Sequence, residues 1–261
     1  MRILRFRNRG KARYGVLEDN QVRSLRGNPF THLASLGELI WDGKSYDFEQ
    51  VKILAPCQPS KIIALGLNYR SHAEETGMEI PKTPLIFMKP STAVIGPDDA
   101  IVLPQLPKYR VDYEGELGVV IGKLARNVPA TQARDCILGY TCVNDVSERY
   151  AQRDDGQWTR AKGFDTFAPV GPWIETAIAD PDNLKLETYL NGQVKQSSNT
   201  SDLIFDIAYL VSFVSSVMTL LPGDIISTGT PSGIGRLSPG DVVEVKIEQI
   251  GILRNTVMGP G

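Results

Sequence analysis

Residues 110–122 read Arg-Val-Asp-Tyr-Glu-Gly-Glu-Leu-Gly-Val-Val-Ile-Gly. Two glutamates, Glu114 and Glu116, occupy alternate positions of this run. Because successive side chains of a β-strand point to opposite faces, we expect both carboxylates on one face, roughly 6.5–7 Å apart along the strand. The other face is mostly apolar, with Tyr113, Gly115, Leu117, Val119 and Ile121. The run therefore predicts a strand that packs one face against a core and presents acids on the other.

Like charges held this close repel each other unless a cation or a proton lies between them. Oxygen ligands suit Mg²⁺, Mn²⁺ or Ca²⁺ better than zinc. Asp145 ends the apolar stretch 140–143 and would complete an oxygen-donor set with Glu114 and Glu116. A solvated acidic face on an edge strand and a turn at Asn144-Asp145 explain the same residues. These residues alone leave both interpretations open.

Composition restricts the kind of partner. The 261 residues are 42% hydrophobic, which supports a full core, and 28 basic against 30 acidic side chains give a net charge of -2. This balance gives no footprint for nucleic acid or an anionic membrane, so we expect a small-molecule partner. Three cysteines with no disulfide or CxxC spacing favour a cytoplasmic location. The apolar stretch 203–221 contains Asp206 and ends at Pro222-Gly223, so it predicts a buried helix and not a membrane span.

Chain organisation favours a β-rich α+β fold. Residues 1–55 are expected to form a small N-terminal α/β domain, and 56–261 the catalytic domain, with 56–60 (Pro-Cys-Gln-Pro-Ser) as the linker. Strands outnumber helices without regular βαβ alternation, which favours a mixed roll or sandwich over a doubly wound sheet. A short helix is predicted from Asn68, as N-cap, to Gly77. Two Pro-Gly-Asp turns, at 222–224 and 239–241, predict local hairpins.

Histidine occurs only at positions 32 and 72, which excludes a multi-histidine metal site. His72 and Glu75 would share one helical face, where the carboxylate orients the imidazole as in a general-base dyad. An ordinary surface pair fits the same spacing. Residues 154–169 form either a surface loop anchored by aromatic side chains or a lid with a substrate-facing Lys162. The glycine-rich run 228–235 lacks the phosphate-loop pattern, although its amides and Thr230 suit a small carboxylate.

Six motifs in the same order resemble the fumarylacetoacetate hydrolase family between Lys61 and about Ile247. They lie at 66–75 (GLNYRSHAEE), 84–90 (PLIFMKP), 112–117 (DYEGEL), 144–149 (NDVSER), 162–169 (KGFDTFAP) and 222–231 (PGDIISTGTP). The resemblance implies a mixed β-sandwich roll that is usually a homodimer. It also implies Mg²⁺ or Mn²⁺, with Ca²⁺ as a substitute in crystals, held by Glu114, Glu116 and Asp145.

The same resemblance implies roles for the other motif residues. The family's catalytic histidine, its partner glutamate and its lysine fall on His72, Glu75 and Lys162. Substrate-binding positions fall on Arg149, Gln152 and Thr230, although Glu148 and Tyr150 stand where the family commonly has other residues.

These parts predict a metal-dependent enzyme that cleaves a carbon–carbon bond in a small 2-oxo acid, such as an acylpyruvate or oxaloacetate, through a metal-stabilised enolate. An isomerase or decarboxylase of the 2-hydroxyhepta-2,4-diene-1,7-dioate type, and an oxaloacetate keto–enol tautomerase, are the alternatives within enzymes. A dimer that binds 2-oxo acids without turnover is the alternative outside them. The substrate itself cannot be chosen from the sequence.

Overall fold

The computed structural model describes residues 1–260, apart from the side chains of Ala34 and Leu36. Residues 1–55 contain five strands and one helix, followed along the chain by fifteen strands and four helices. The N-terminal elements are β1 (Arg2–Asn8), β2 (Lys11–Glu18), β3 (Gln21–Leu25), α1 (Pro29–Leu36), β4 (Trp41–Asp47) and β5 (Lys52–Leu54).

The rest of the chain carries the site. Its elements are β6 (Ile62–Leu65), α2 (Arg70–Thr76), β7 (Ile86–Lys89), β8 (Val94–Ile95), β9 (Ala100–Val102), β10 (Val111–Tyr113), β11 (Gly115–Ile121), β12 (Ile137–Asn144), β13 (Ser147–Glu148), α3 (Arg149–Asp154), α4 (Thr159–Lys162), β14 (Ala168–Glu175), β15 (Lys185–Leu190), β16 (Gln193–Asn199), α5 (Ile207–Val217), β17 (Ile225–Ser227), β18 (Gly235–Arg236), β19 (Val242–Ile247) and β20 (Gly251–Met258). Short 3₁₀ turns span Phe48–Gln50, Ser91–Ala93, Ala130–Cys136 and Thr200–Asp202.

Three sheets build the described part of the molecule. The largest has twelve strands in the order β4-β3-β2-β1-β14-β12-β11-β17-β6-β7, with β5 on β1 and β8 on β14. A five-stranded sheet runs β16-β15-β19-β20-β9, and a three-stranded sheet runs β13-β10-β18. Most pairings are antiparallel, and β6–β17, β8–β14 and β9–β20 are parallel. This β-rich, mixed architecture confirms the predicted fold class.

The N-terminal strands and the motif-bearing strands share the large sheet, because β1 pairs with β14. The division at residues 55 and 56 stays a prediction. The main core lies between the large sheet, the five-stranded sheet and α5, and it contains Leu117, Val119 and Ile121 of β11. A glycine at position 115 lets the sheets approach, because a Cβ there would lie 2.1 Å from the Thr188 hydroxyl oxygen.

Two local predictions were wrong. The turn at 222–224 does not open a hairpin, because the strand that follows it, β17, lies inside the large sheet between β11 and β6. The second turn does precede one, formed by β19 and β20. Asn68 does not cap α2; Tyr69 is the capping residue, and the Asn68 amide instead donates to the Thr228 carbonyl at 2.8 Å.

The apolar stretch 203–221 follows the 3₁₀ turn at Thr200–Asp202 and contains α5. Asp206 caps α5 by accepting a hydrogen bond from the Tyr209 amide at 2.7 Å. Within residues 1–260, no helix has both the length and the apolar character needed to cross a membrane.

Candidate active site

Three carboxylates meet where β10, β11 and β12 come together. Ligand oxygens of Glu114, Glu116 and Asp145 all lie within 4.8 Å of one another, and all three residues are buried. Glu114 lies between β10 and β11, and Asp145 directly follows β12. Pairing of Gly115 with Asn144 sets the register, and the Asp145 amide donates to the Glu114 carbonyl at 2.8 Å. The acids therefore do not lie on a solvated edge strand.

Among the three acids, Glu116 has a buried carboxylate oxygen without a hydrogen-bond partner in the described residues. Its Oε2 accepts hydrogen bonds from the Ser227 hydroxyl at 2.5 Å and the Gly229 amide at 3.0 Å. Its Oε1 is buried and has no hydrogen-bond partner in the described residues. Burial raises the pKa of Glu116, and the charges of Asp145 and Glu114 raise it further. A hard divalent cation would satisfy both the unpaired oxygen and the repulsion, so the residues present fit such an ion.

Two buried lysines approach the same acids. The Lys162 ammonium lies 2.8 Å from Glu114 Oε2 and 2.6 Å from Asp145 Oδ2. Burial alone would lower the pKa of Lys162, but Asp145 and Glu114 outweigh it and raise the pKa. Lys89 Nζ lies 2.5 Å from Asp145 Oδ1 and donates to the Val146 carbonyl at 3.1 Å. For Lys89, burial dominates and lowers the pKa.

Sequence reasoning assigned no role to Lys89. It ends β7, a short strand that is otherwise Ile-Phe-Met, and Pro90 follows it. A lysine at the end of an apolar strand is a signal of a buried pair, because lysine is almost never fully buried unless its charge is paired. The partner at position 145 lies 56 residues along the chain, which no local pattern reveals.

Arg149 links the acidic cluster to its surroundings. Its Nη2 lies 2.6 Å from Glu114 Oε1, its Nε donates to Asp112 Oδ2 at 2.8 Å, and its Nη1 donates to Gln152 Oε1 at 2.7 Å. The Glu148 side chain caps α3 by accepting from the amides that follow Arg149, which fixes the start of this helix. Burial would raise the pKa of Glu114, but Lys162 and Arg149 hold it below its usual value.

His72 and Glu75 form a fixed pair on α2. His72 Nδ1 lies 3.0 Å from Glu75 Oε2, and Glu75 Oε1 accepts a hydrogen bond from the Gly233 amide at 3.0 Å. His72 is 9% exposed, so the imidazole is largely shielded from solvent. Because Glu75 engages Nδ1, the ring nitrogen that remains available is Nε2.

A cavity of about 540 Å³ brings most of these side chains together. Its lining includes the predicted site residues His72, Glu114, Arg149, Gln152 and Lys162. Glu116 and Asp145 are fully buried beside it and do not line it. The rest of the wall comprises Gly66, Thr76, Met78, Arg110, Asp112, Tyr150, Arg153, Trp158 and Ile234.

Thr230, which was predicted to bind substrate, does not line the cavity. Its hydroxyl donates to the Gly115 carbonyl at 2.9 Å and accepts from Gln196 Nε2 at 2.8 Å. Gln196 Oε1 in turn accepts from the Gly115 amide at 3.0 Å. Thr230 and Gln196 therefore fix the backbone between the two glutamates, and a direct contact of Thr230 with substrate stays a prediction.

Comparison with known proteins identifies the family to which the chain belongs. Residues 61–258 match the family described as fumarylacetoacetate (FAA) hydrolase, C-terminal, and residues 1–56 match an N-terminal family described as Rv2993c-like. A 2,4-didehydro-3-deoxy-L-rhamnonate hydrolase of Sphingomonas sp. is 39% identical over 98% of this chain and 96% of its own length. Oxaloacetate tautomerase Fahd2a, mitochondrial, of Rattus norvegicus is 44% identical over 80% of this chain and 70% of its own.

Two solved structures have the same fold as this protein over the whole chain. A 2-hydroxyhepta-2,4-diene-1,7-dioate isomerase from Mycobacterium marinum superposes with a TM-score of 0.90 at 44% identity, covering 100% of this chain and 99% of that one. Maleylpyruvate hydrolase from Sphingobium sp. SYK-6, in complex with manganese(II) ion and pyruvate, gives 0.84 at 32% identity, with 100% of each chain covered. The protein belongs to the fumarylacetoacetate hydrolase family, whose members include hydrolases, isomerases and an oxaloacetate tautomerase.

Proposed function

We propose that this protein is a divalent-metal-dependent hydrolase that cleaves a carbon–carbon bond in a small 2-oxo acid, such as an acylpyruvate. The observation that supports the proposal most strongly is the unpartnered, buried Oε1 of Glu116 within the three-carboxylate cluster. Beside that cluster lies a cavity lined by His72, whose Nδ1 is held by Glu75. A cation site and an oriented base next to one cavity are the two parts that such a reaction requires.

Glu114, Glu116 and Asp145 would hold the ion, and their oxygen ligands suit Mg²⁺ or Mn²⁺. When bound, the ion would supply positive charge that stabilises the negative charge developing on the substrate's 2-oxo oxygen. Ser227 and Gly229 keep Glu116 in place through their hydrogen bonds to its Oε2. The solved maleylpyruvate hydrolase is in complex with a manganese(II) ion, which supports this assignment.

His72 would act as the general base. With its Nδ1–H donated to Glu75, His72 Nε2 accepts a proton from water, and the water oxygen bonds to the distal carbonyl carbon of the substrate. Breakage of the adjacent carbon–carbon bond leaves an acid and an enolate, and the proton on Nε2 is then available to the enolate carbon. The Gly233 amide orients this pair because it fixes the second oxygen of Glu75.

Charge at the cavity mouth favours a substrate with a second carboxylate. Arg110 and Arg153 both line the cavity, and their side chains are 51% and 69% exposed. Arg110 uses Nε for Asp112 and Arg153 uses Nε for Asp154, so the terminal nitrogens of both guanidiniums remain available to a ligand. Arg149 and Gln152, deeper in the cavity, would bind the oxygens near the reacting centre. This charge pattern supports a maleylpyruvate-like diacid over an uncharged sugar-acid chain.

A second candidate is the isomerase of the 2-hydroxyhepta-2,4-diene-1,7-dioate type. The same cationic mouth favours it, because that compound also carries two carboxylates, and His72 would move a proton between carbons without adding water. The structural relative from Mycobacterium marinum bears that name. Oxaloacetate tautomerase or decarboxylase activity requires only the cation site and a base, so it belongs to the same set of candidates.

The test is a substrate panel assayed with Mg²⁺, with Mn²⁺ and with EDTA. It should include maleylpyruvate, fumarylpyruvate, acetylpyruvate, oxaloacetate, the dienedioate and a deoxy-2-oxo sugar acid. We expect EDTA-sensitive loss of ultraviolet absorbance with a diacid acylpyruvate and release of pyruvate. Rearrangement of the dienedioate without release of an acid would instead identify the isomerase. Absence of turnover on every compound would support a binding protein without enzymatic activity.

A further inference from the structure

A second cleft, of about 450 Å³, lies between β1 and residues 91–96 and shares no lining residue with the catalytic cavity. Two arginines of β1, Arg5 and Arg7, line it. They are two positions apart on one strand and so project from the same face as Ile3, which is buried in the core beneath α1. On this face of β1, Ile3 is therefore buried in the core, whereas Arg5 and Arg7 line the cleft.

Both guanidiniums lack a protein partner. Within residues 1–260, neither Arg5 nor Arg7 forms an ion pair or a side-chain hydrogen bond, whereas Arg2, Arg13 and Lys52 pair with Glu175, Asp42 and Asp99. Asp99 is the acid in the cleft lining, and it is already engaged by Lys52 Nζ at 2.6 Å and the Gly96 amide at 3.0 Å. The cleft thus carries a net positive charge that nothing in the described chain neutralises.

Neutral donors complete the polar wall. Gln58, Ser91 and Thr92 line the cleft, and in the described residues their side chains form no hydrogen bond. Val94, Ile95 and Leu54 supply an apolar wall on which a short carbon skeleton can pack. The volume falls in the range of roughly 300–1,000 Å³ that small-molecule sites occupy.

We propose that this cleft is a binding site for a small organic oxyanion, with its phosphate or carboxylate group between Arg5 and Arg7. The planar guanidinium matches both groups through paired hydrogen bonds, and two adjacent arginines favour a dianion. Gln58, Ser91 and Thr92 donate to the remaining oxygens.

Calorimetric titration at low ionic strength tests the site, with inorganic phosphate in one arm and succinate in the other. The variant is the double substitution Arg5→Gln and Arg7→Gln. Its matched control is Arg9→Gln with Lys11→Gln, which removes the same charge from two exposed residues that line a different depression. We expect the double variant to bind at least tenfold more weakly than the parent, and the control to stay within twofold.

The two arms identify the source of the oxyanion: tighter binding of phosphate indicates a phosphorylated ligand, and tighter binding of succinate a dicarboxylate. If the double variant proves unstable, the single change Arg7→Gln at an exposed position should still weaken binding at least threefold. If the double variant binds the anion as tightly as the parent protein does, the anion binds elsewhere, for example at Arg149, and the proposal is overturned. Absence of binding of both anions to the parent protein would also overturn it.

Discussion

The catalytic cavity and the basic cleft both concentrate charged side chains, but they differ in whether those charges have partners in the protein. In the cavity, Arg149 contacts Asp112, Glu114 and Gln152, and Lys162 bridges two carboxylates. In the cleft, Arg5 and Arg7 have no such contacts among residues 1–260. Side chains held by partners in the protein are already positioned before substrate binds, and catalysis requires such preorganised groups. Unpaired side chains at a surface are instead free to bind a ligand.

Burial separates the two regions energetically. Removing one partner from a buried ion pair typically costs about 3–5 kcal/mol, because the other charge is left without compensation. Changing an exposed charge usually alters stability by less than about 0.5 kcal/mol. Substitutions in the cavity should therefore affect both folding and turnover, while those in the cleft should affect ligand binding alone.

The largest effect is expected from Glu116→Gln. The substitution removes a charged ligand of the proposed cation and should lower metal-dependent turnover by about 10³-fold or more. The measurement is the initial rate on a diacid acylpyruvate at saturating Mg²⁺. Glu187→Gln, on the neighbouring five-stranded sheet, is the control and should retain activity. Unchanged activity of Glu116→Gln would sink the ligand assignment.

His72→Ala should distinguish the reactions. Loss of the general base lowers hydrolysis by about 10²–10⁴-fold, whereas decarboxylation of oxaloacetate, driven mainly by the cation, should be partly retained. The two rates are measured side by side on the same preparation. An equal loss of both activities would argue against a hydrolysis-specific role for the His72–Glu75 pair.

Lys89→Met and Lys52→Met compare the same substitution in a buried and an exposed pair. Lys89 and Asp145 are both 0% exposed, whereas Lys52 and Asp99 are 52% and 30% exposed. We expect Lys89→Met to lower the free energy of unfolding by about 3 kcal/mol and Lys52→Met by less than about 1 kcal/mol. Urea unfolding measures both. Similar losses would show that burial does not set the difference between the regions.

The smallest expected effect concerns Glu175, which joins β14 to the N-terminus. Burial would raise its pKa, but the N-terminal ammonium, the Ala177 amide and Arg2 together lower it. Because the folded pKa lies below the unfolded value of about 4.3, this stabilisation is present above pH 4.3 and is lost as the pH falls through the folded pKa. Glu175→Gln should cost about 1 kcal/mol at pH 7 and less near pH 3. A difference that does not change with pH would contradict this account.

Sequence periodicity predicted the parts of the site that depend on local geometry. The alternation in 110–122 indicated two acids that lie close together, and the spacing of His72 and Glu75 indicated a contact on one helical face, which the structure shows at 3.0 Å. The chain nevertheless changes sheets at Glu114, so β10 and β11 are separate strands with both faces buried. Burial on both faces depends on the five-stranded sheet, which lies far along the chain.

The remaining features depend on contacts between distant residues. Lys89 meets Asp145, Ser227 meets Glu116 and Asn68 meets Thr228 across separations of 56, 111 and 160 residues. A motif shows that Thr230 is distinctive, but only the fold shows that its hydroxyl bonds the backbone at Gly115. The sequence shows arginines at positions 2, 5 and 7, but only the fold shows that Arg2 pairs with Glu175 while Arg5 and Arg7 line the cleft.

The proposed function depends most on Glu114, Glu116 and Asp145 forming a divalent-cation site. Electron paramagnetic resonance of Mn²⁺ tests it directly, because free and protein-bound Mn²⁺ give different signals and no substrate is needed. We expect one tightly bound Mn²⁺ per chain in the parent protein and in Glu187→Gln, and binding weakened at least tenfold in Glu116→Gln. Equal binding by the parent and Glu116→Gln, or no binding by the parent, would contradict it.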